Sequence, residues 1–493
     1  MKKLVSICLA LGLLTPLFAQ GYIQPTDNFH HYQVTHQRST LPSSYDSRDY
    51  GWVLAPRDQL QNGTCWAFSC ATAWQILAHK NNLITGYLSA QSIATCFEGY
   101  LLAPIKGGGN TRVANSMLVR LEGLVSEEAV PYNPENTNCV QYEKKDVPTY
   151  VLGWNYLPED DQIAIKEHIM ESGAVSASIY FTSSSYNATT KIYNYQGNMS
   201  SNHAVTLIGW DDSKQAWFAQ NTWGEGSFYG GYLWISYADS NVGKQCTAYT
   251  DLTPVNSIDN VHHITSAGMV GGYGYKENVI SDGIIEYDFA DGEQLVAIGT
   301  GITSGNVRIN FTVLDRHAGK ILYASEPITV PYAGFYKHEL PTPLDVTGKI
   351  CIAVTYLSES DIFVIPIEYS VDNLYSITPH AGNQWIDFYE TGNWMPMGTS
   401  ASPYNLCIYA YTKNKTTAVE QTPAAQTTVF TGTGIASNAW ESAKCIHVYG
   451  MDGKKYKTLQ PADDALPNLV TGVYLLAIEK LDGTSYTEKI WIQ

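Results

Sequence analysis

What the sequence lacks narrows the field first. It lacks positive charge: 29 Lys and Arg stand against 46 Asp and Glu, for a formal net charge of −17. A nucleic-acid binder needs a basic footprint facing the phosphates, so that class is set aside. It is also short of charge of either sign, at 15% of residues, while apolar residues make up 44%. That balance excludes a disordered chain. Neither a CxxC…CxxC nor an HExxH arrangement occurs, and no zinc or other metal site is expected. The acidic pairs Asp160-Asp161 and Asp211-Asp212 lack the spacing of a calcium loop and read as turn residues.

What is present divides the 493 residues into several regions. Residues 1–20 carry two lysines, a short apolar run and a small residue at Ala19. This reads as a secretory signal peptide, too short for a comfortable membrane span. Residues 21–40 are polar and aperiodic. Residues 41–255 mix helical and strand patterns. Residues 256–413 read as nearly all strand, with Val307, Ile309, Phe311 and Val313 alternating against polar neighbours, and Ile350, Ile352, Val354 and Tyr356 likewise. A Thr/Ala/Pro linker follows at 414–427. Residues 428–493 are again β, with hairpin turns expected at Asp452-Gly453 and Asp482-Gly483.

The stretch "QLQNGTCWAFSC", residues 59–70, places Cys65 directly before a helix-like run. Thr64 is expected to cap that helix. At its N-terminus the dipole and free N–H groups favour thiolate over thiol. A thiol nucleophile needs a base, and His203 stands directly before a strong strand pattern. Asn221 follows in "NTWGEG"; its side-chain oxygen can hold an imidazole in one tautomer, and Trp223 can cover that bond from water. Gln59 and the backbone N–H of Cys65 can serve a developing oxyanion. Each of these residues taken alone is bland: a buried Cys is usually a small hydrophobe, and a lone Gln a solvated polar group. Together they are not.

These motifs, in this order, resemble those of the papain-like cysteine peptidases. Gln59, Gly63, Cys65, Trp66, Ala67, Phe68 and Ser69 carry the first motif; "NHAV…GW" and Asn221 to Tyr232 carry the others. The resemblance implies a two-lobed α+β domain over 41–255. It implies Cys65 as nucleophile, His203 as base and then acid, Asn221 as orienter and Gln59 as oxyanion donor. Gly108, Gly109, Asn202 and Trp223 become the expected substrate-binding positions, and Cys96 and Cys139 the expected disulfide. Protein or peptide substrates and no cofactor are implied. The sequence departs from the pattern at Asn62, where the family usually has a cysteine, and the partner cysteine is missing from "KGGGN" at 106–110. The loop before Cys65 is therefore expected to be looser. Residues 21–40 are too short for a folded inhibitory domain; an extended strap across the cleft is the alternative.

Residues 256–413 resemble a lectin-like β-sandwich domain found after some bacterial peptidases of this kind. The name describes shape, and glycan contact is one possibility. Trp385 and Trp394 are expected in the core rather than stacked on sugars, and His262-His263 on a linker surface. Residues 428–493 are similar to type IX secretion sorting domains, small Ig-like β-sandwiches. That similarity implies secretion machinery of a Gram-negative outer membrane as a partner and a secreted or cell-surface location. Cys70 and Cys246 read as core thiols and Cys445 as buried alone; for Cys351 and Cys407 a cross-strand disulfide is the lesser option. The expected function is a secreted cysteine endopeptidase. The rivals are an adhesin with a vestigial peptidase half and a cell-wall peptide amidase or transpeptidase.

Overall fold

The computed structural model describes residues 21–493 except 28, 30, 31, 35, 37–39, 123, 229, 276–278, 361, 363, 416–442, 451–453, 461–471, 482–484 and 493. The expected signal peptide, His30-His31, most of the linker and both Asp-Gly turns lie outside the described residues. The chain forms two compact units, one ending at Lys415 and one beginning at Thr416.

The first unit is organised around α1 (Cys65–Lys80). Every residue from Cys65 to Ala78 is buried, so this helix is core on all sides rather than amphipathic. Its alanines let neighbours approach closely, and His79 and Lys80 sit in the last turn, where cations suit the dipole. Two short helices, α2 (Ala90–Thr95) and α3 (Thr111–Leu118), pack beside it. Asn110 caps α3 by accepting from the Arg112 and Val113 amides.

The opposite lobe is mainly antiparallel sheet with one helix, α4 (Gln162–Ser172). Its main strands are β1 (Ser44–Asp46), β2 (Tyr150–Leu157), β3 (Val175–Ile179), β4 (His203–Asp211), β5 (Ala216–Gln220), β6 (Tyr232–Ser236) and β7 (Cys246–Thr253). Strand β4 is central, pairing with β1, β3 and β5. From His203 to Trp210 it is buried on both faces, as a strand between two packed layers should be.

The following strands are β8 (Asn260–His262), β9 (Ser281–Ile302), β10 (Val307–Leu314), β11 (Ala333–Leu357), β12 (Ile365–Glu368), β13 (Gln384–Phe388) and β14 (Ile408–Asn414). The expected alternation holds: Val307, Ile309, Phe311 and Val313 are buried, with their neighbours more exposed. The main sheet and a smaller sheet around β12 share one apolar core. This β region does not merely follow the first lobes. The start of β11 pairs with β2, Gly334 opposite Asn155 and Phe335 opposite Trp154. Gly334 has φ +145°, and a Cβ there would lie 2.0 Å from the Trp154 carbonyl oxygen, so only glycine lets these backbones meet. The Trp154 and Phe335 rings stack beside it at 4.8 Å.

Two expectations change here. His262 is not on a linker surface: β8 pairs with β14, and His262 Nε2 lies 2.8 Å from Glu293. Trp385 and Trp394 are half-buried and flank His317, at ring distances of 4.6 and 5.1 Å, rather than filling the core. Cys351 and Cys407 are buried free thiols. The described part of the second unit is a four-stranded antiparallel sheet. Its order is β16 (Lys455–Leu459), β15 (Ala443–Gly450), β17 (Gly472–Lys480) and β18 (Ser485–Ile492). The second sheet of an Ig-like sandwich does not occur among the described residues.

Candidate active site

Cys65 is the first residue of α1 and is fully buried. Thr64 does not cap the helix as expected. Its φ and ψ are −112° and 10°, not extended, and its hydroxyl lies 2.8 Å from the Tyr132 hydroxyl instead. The Cys65 sulfur is met by backbone N–H groups, those of Ala204, Gly21, Trp66 and Cys65 itself. Ala204 follows His203, so the sulfur and the histidine lie at one junction between α1 and β4.

His203 Nε2 is 2.8 Å from Asn221 Oδ1. The Thr222 amide also donates to that oxygen, at 2.8 Å, which fixes the Asn221 amide plane. Trp223 stacks on the imidazole at 4.4 Å with a 22° tilt, and Phe181 meets Trp223 edge-on at 4.6 Å. This aromatic cover keeps water from competing for the His203–Asn221 bond. Nδ1, the other ring nitrogen, has no hydrogen-bond partner.

Gln59 is buried within the same neighbourhood, but its amide nitrogen donates to the Asn62 carbonyl at 2.6 Å, while Thr222 donates to its oxygen. The loop before Cys65 is tied without a disulfide: the Gly63 amide donates to Ile105 O at 3.0 Å, and Trp66 Nε1 donates to Gly63 O at 3.1 Å. These bonds stand where a looser loop was expected. The Cys96–Cys139 disulfide is present, with Cα atoms 4.6 Å apart.

The cleft is occupied by the chain's own residues 21–27. The Gly21 and Tyr22 amides donate to Asn202 O at 3.1 and 3.0 Å. Ile23 N–H donates to Gly109 O and Gly109 N–H to Gly21 O, both at 2.9 Å, a parallel pairing. Of the two glycines expected to bind substrate, Gly109 pairs its backbone with the strap. A Cβ on Gly109 would lie 2.4 Å from the Trp66 ring, so the close approach needs glycine. Asn202 serves through its carbonyl; its side chain turns away, accepting from the Phe181 amide at 2.7 Å. Tyr22 is buried. Further along, Asp27 pairs with Arg112 through two contacts of 2.6 and 2.5 Å, with both side chains almost wholly buried. Phe29 stacks on Tyr156, and Tyr32 donates to the Tyr156 carbonyl and accepts from the Ala333 amide. Sequence reasoning missed Arg112, Asp27 and Tyr22, because their pairing joins distant segments without a local pattern.

Burial reverses the expected protonation of the thiol. Buried under Gly21, Cys65 is pushed up to about 11; the four backbone N–H groups oppose this but do not win. Burial pushes His203 down to about 4, against the smaller upward effect of Asn221. The covered cleft therefore holds a neutral thiol and a neutral imidazole.

Comparison with known proteins follows the same lines. The pattern described as "Papain family cysteine protease" matches residues 41–253, and "Lectin like domain" matches 261–412. The chain is 30% identical over 210 residues to macrodontain-1 of Ananas macrodontes, covering 42% of this chain and 94% of that protein. It is 29% identical over 207 residues to cathepsin K of Mus musculus, covering 41% of this chain and 61% of that protein. The chain thus spans about three fifths of that curated relative. Among solved structures, the cysteine protease and lectin-like domains of Cwp84, a surface layer associated protein of Clostridium difficile, superpose with a TM-score of 0.68. That likeness covers 80% of this chain and 93% of that one at 21% identity, and it extends to the fold alone.

Proposed function

The chain belongs to the papain family of cysteine peptidases, and on that premise we propose that it is a secreted endopeptidase working through Cys65, His203 and Asn221. The observation that carries this reading is the 2.8 Å His203–Asn221 bond beneath Trp223, beside a cysteine at a helix N-terminus. Sulfur attacks a peptide carbonyl, and the proton passes to His203 Nδ1. The oxyanion is held by the Cys65 backbone N–H and by the Gln59 side-chain amide. His203 then protonates the leaving amine, and the acyl-enzyme is hydrolysed by a water that the imidazole activates. Asn221 keeps Nε2 protonated throughout, so that Nδ1 remains the working nitrogen.

Residues 21–40 act as a short pro-segment. The support is positional: the Gly21 and Tyr22 amides donate to Asn202 O and the Ile23 amide to Gly109 O, so the strap occupies the cleft beside Cys65. A related structure is of the Clostridial cysteine protease Cwp84 after propeptide cleavage. Export through residues 1–20, and type IX secretion from a Gram-negative cell through residues 428–493, complete the reading, together with glycan contact through the lectin-like region. The test compares wild type with Cys65→Ala on denatured protein after the strap is removed. Equal cleavage by the two proteins would defeat the proposal.

A further inference from the structure

The second unit holds a cluster that the peptidase reading does not use. Cys445 and His447 stand two residues apart on β15 and so project from the same face. The antiparallel register places Glu479 of β17 directly opposite Cys445. The other face, with Ile446, Val448 and Ile478, is buried core. The three polar side chains thus sit on the half-open face of the sheet.

Their donor atoms form a triangle. Cys445 Sγ is 3.7 Å from His447 Nε2 and 3.4 Å from Glu479 Oε2, and Nε2 is 4.0 Å from Oε2. Tetrahedral zinc with ordinary bond lengths separates sulfur from nitrogen or oxygen by about 3.6 Å, and nitrogen from oxygen by about 3.4 Å. Two edges of the triangle already match, and the third closes with a small rotation of the carboxylate. The surroundings fit as well. His447 Nδ1 lies 2.8 Å from Thr458 Oγ1, so an Nδ1–H donated there leaves the Nε2 lone pair facing the sulfur. Lys444 holds the other carboxylate oxygen, Oε1, at 2.6 Å, leaving Oε2 turned toward the cysteine.

We propose that Cys445, His447 and Glu479 bind a zinc ion. The thiol proton leaves to bulk water as the sulfur lone pair bonds to the metal. One thiolate and one carboxylate then balance the double positive charge. The fourth position opens outward from the sheet and takes water or an outside donor. A sulfur and an imidazole select a borderline-soft metal over calcium or magnesium. The sequence shows no metal motif because two ligands are neighbours on one strand and the third arrives only through strand pairing.

The test uses the full chain carrying Cys65→Ser, so that the cleft thiol is removed from the titration. Cobalt is added as the spectroscopic probe, then zinc as competitor. The expected result is one equivalent of cobalt with a thiolate-to-metal charge-transfer band and four-coordinate visible bands, displaced by zinc and not by calcium. Adding Cys445→Ser should abolish the charge-transfer band. Thr458→Val, which leaves all three ligands, should weaken cobalt binding about 10- to 100-fold. If Cys445→Ser does not fold, judged by circular dichroism, Glu479→Gln keeps the side-chain volume and carries the test, with weaker binding and altered visible bands expected. Failure of the folded Cys65→Ser chain to take up cobalt would overturn the site. So would bands undiminished by the folded Cys445 or Glu479 variant.

Discussion

The cleft and the C-terminal sheet each bring a cysteine and a histidine together, and the third group separates their chemistry. At Cys65 and His203 the third residue is the neutral amide of Asn221, which fixes the ring without adding charge. The imidazole there stays free to carry a proton. At Cys445 and His447 the third residue is the carboxylate of Glu479, whose charge suits a cation. The covers differ too. Cys65 is sealed by backbone from residue 21, whereas the Cys445 cluster opens on one side. A thiol beside an imidazole therefore does not by itself define a nucleophile; the group behind the ring and the lid over the sulfur do.

The largest effect that sharpens this contrast is loss of the cleft thiol. Cys65→Ala should lower peptide cleavage by at least about 10⁴-fold, while Cys445→Ala leaves cleavage unchanged, both read as kcat/KM. Removing the group behind the ring comes next. Asn221→Ala should cost about 10²-fold in kcat/KM, with the folded state retained on thermal melting.

The lid is broken by a small substitution. A Cβ on Gly21 would lie 2.2 Å from Gly63 O, so Gly21→Val should expel the start of the strap. Overpacking of this kind costs about 1–3 kcal/mol, and alkylation of Cys65 should speed up about tenfold or more. Asp27→Asn attacks the same lid further out by leaving the Arg112 charge buried without its carboxylate partner, and faster alkylation should follow.

The smallest expected effect is a pH window for the strap. The covered His203 titrates near 4 and an ordinary histidine near 6.5. Between these values the unfolded chain binds the proton and the folded one does not, so acidification through that range destabilises the folded, strap-covered state. The covered Cys65 titrates near 11 and an ordinary thiol near 9. Rising pH between those values ionises only the unfolded chain's thiol and destabilises the strap-covered state again. Protection of the Tyr22 amide against hydrogen exchange, corrected for intrinsic rates, should be highest between pH 6.5 and 9.

The grouping proposed as catalytic was legible because each member sits in a local signature: Cys65 at a helix start, His203 at a strand start, Asn221 before an aromatic cover. Gly109 stood out for a similar reason, in a glycine run that lets backbone approach. What was not legible depends on long-range pairing. The thiol was expected to favour its charged form, yet Gly21 buries it, and nothing near residue 65 in the sequence reports that. Asp27 meets Arg112 across 85 positions, and Glu479 reaches Cys445 across 34. The union of β2 with β11 was missed because the patterns suggested separate domains; Gly334 marks the crossing.

The most direct measurement reacts the Gly21→Val chain with a thiol-directed epoxide and maps the adduct by mass spectrometry. A single label on Cys65, formed at a rate that His203→Ala reduces sharply, is the predicted result. Labelling at another thiol, or at Cys65 with a rate indifferent to His203, would contradict a nucleophile activated by that imidazole.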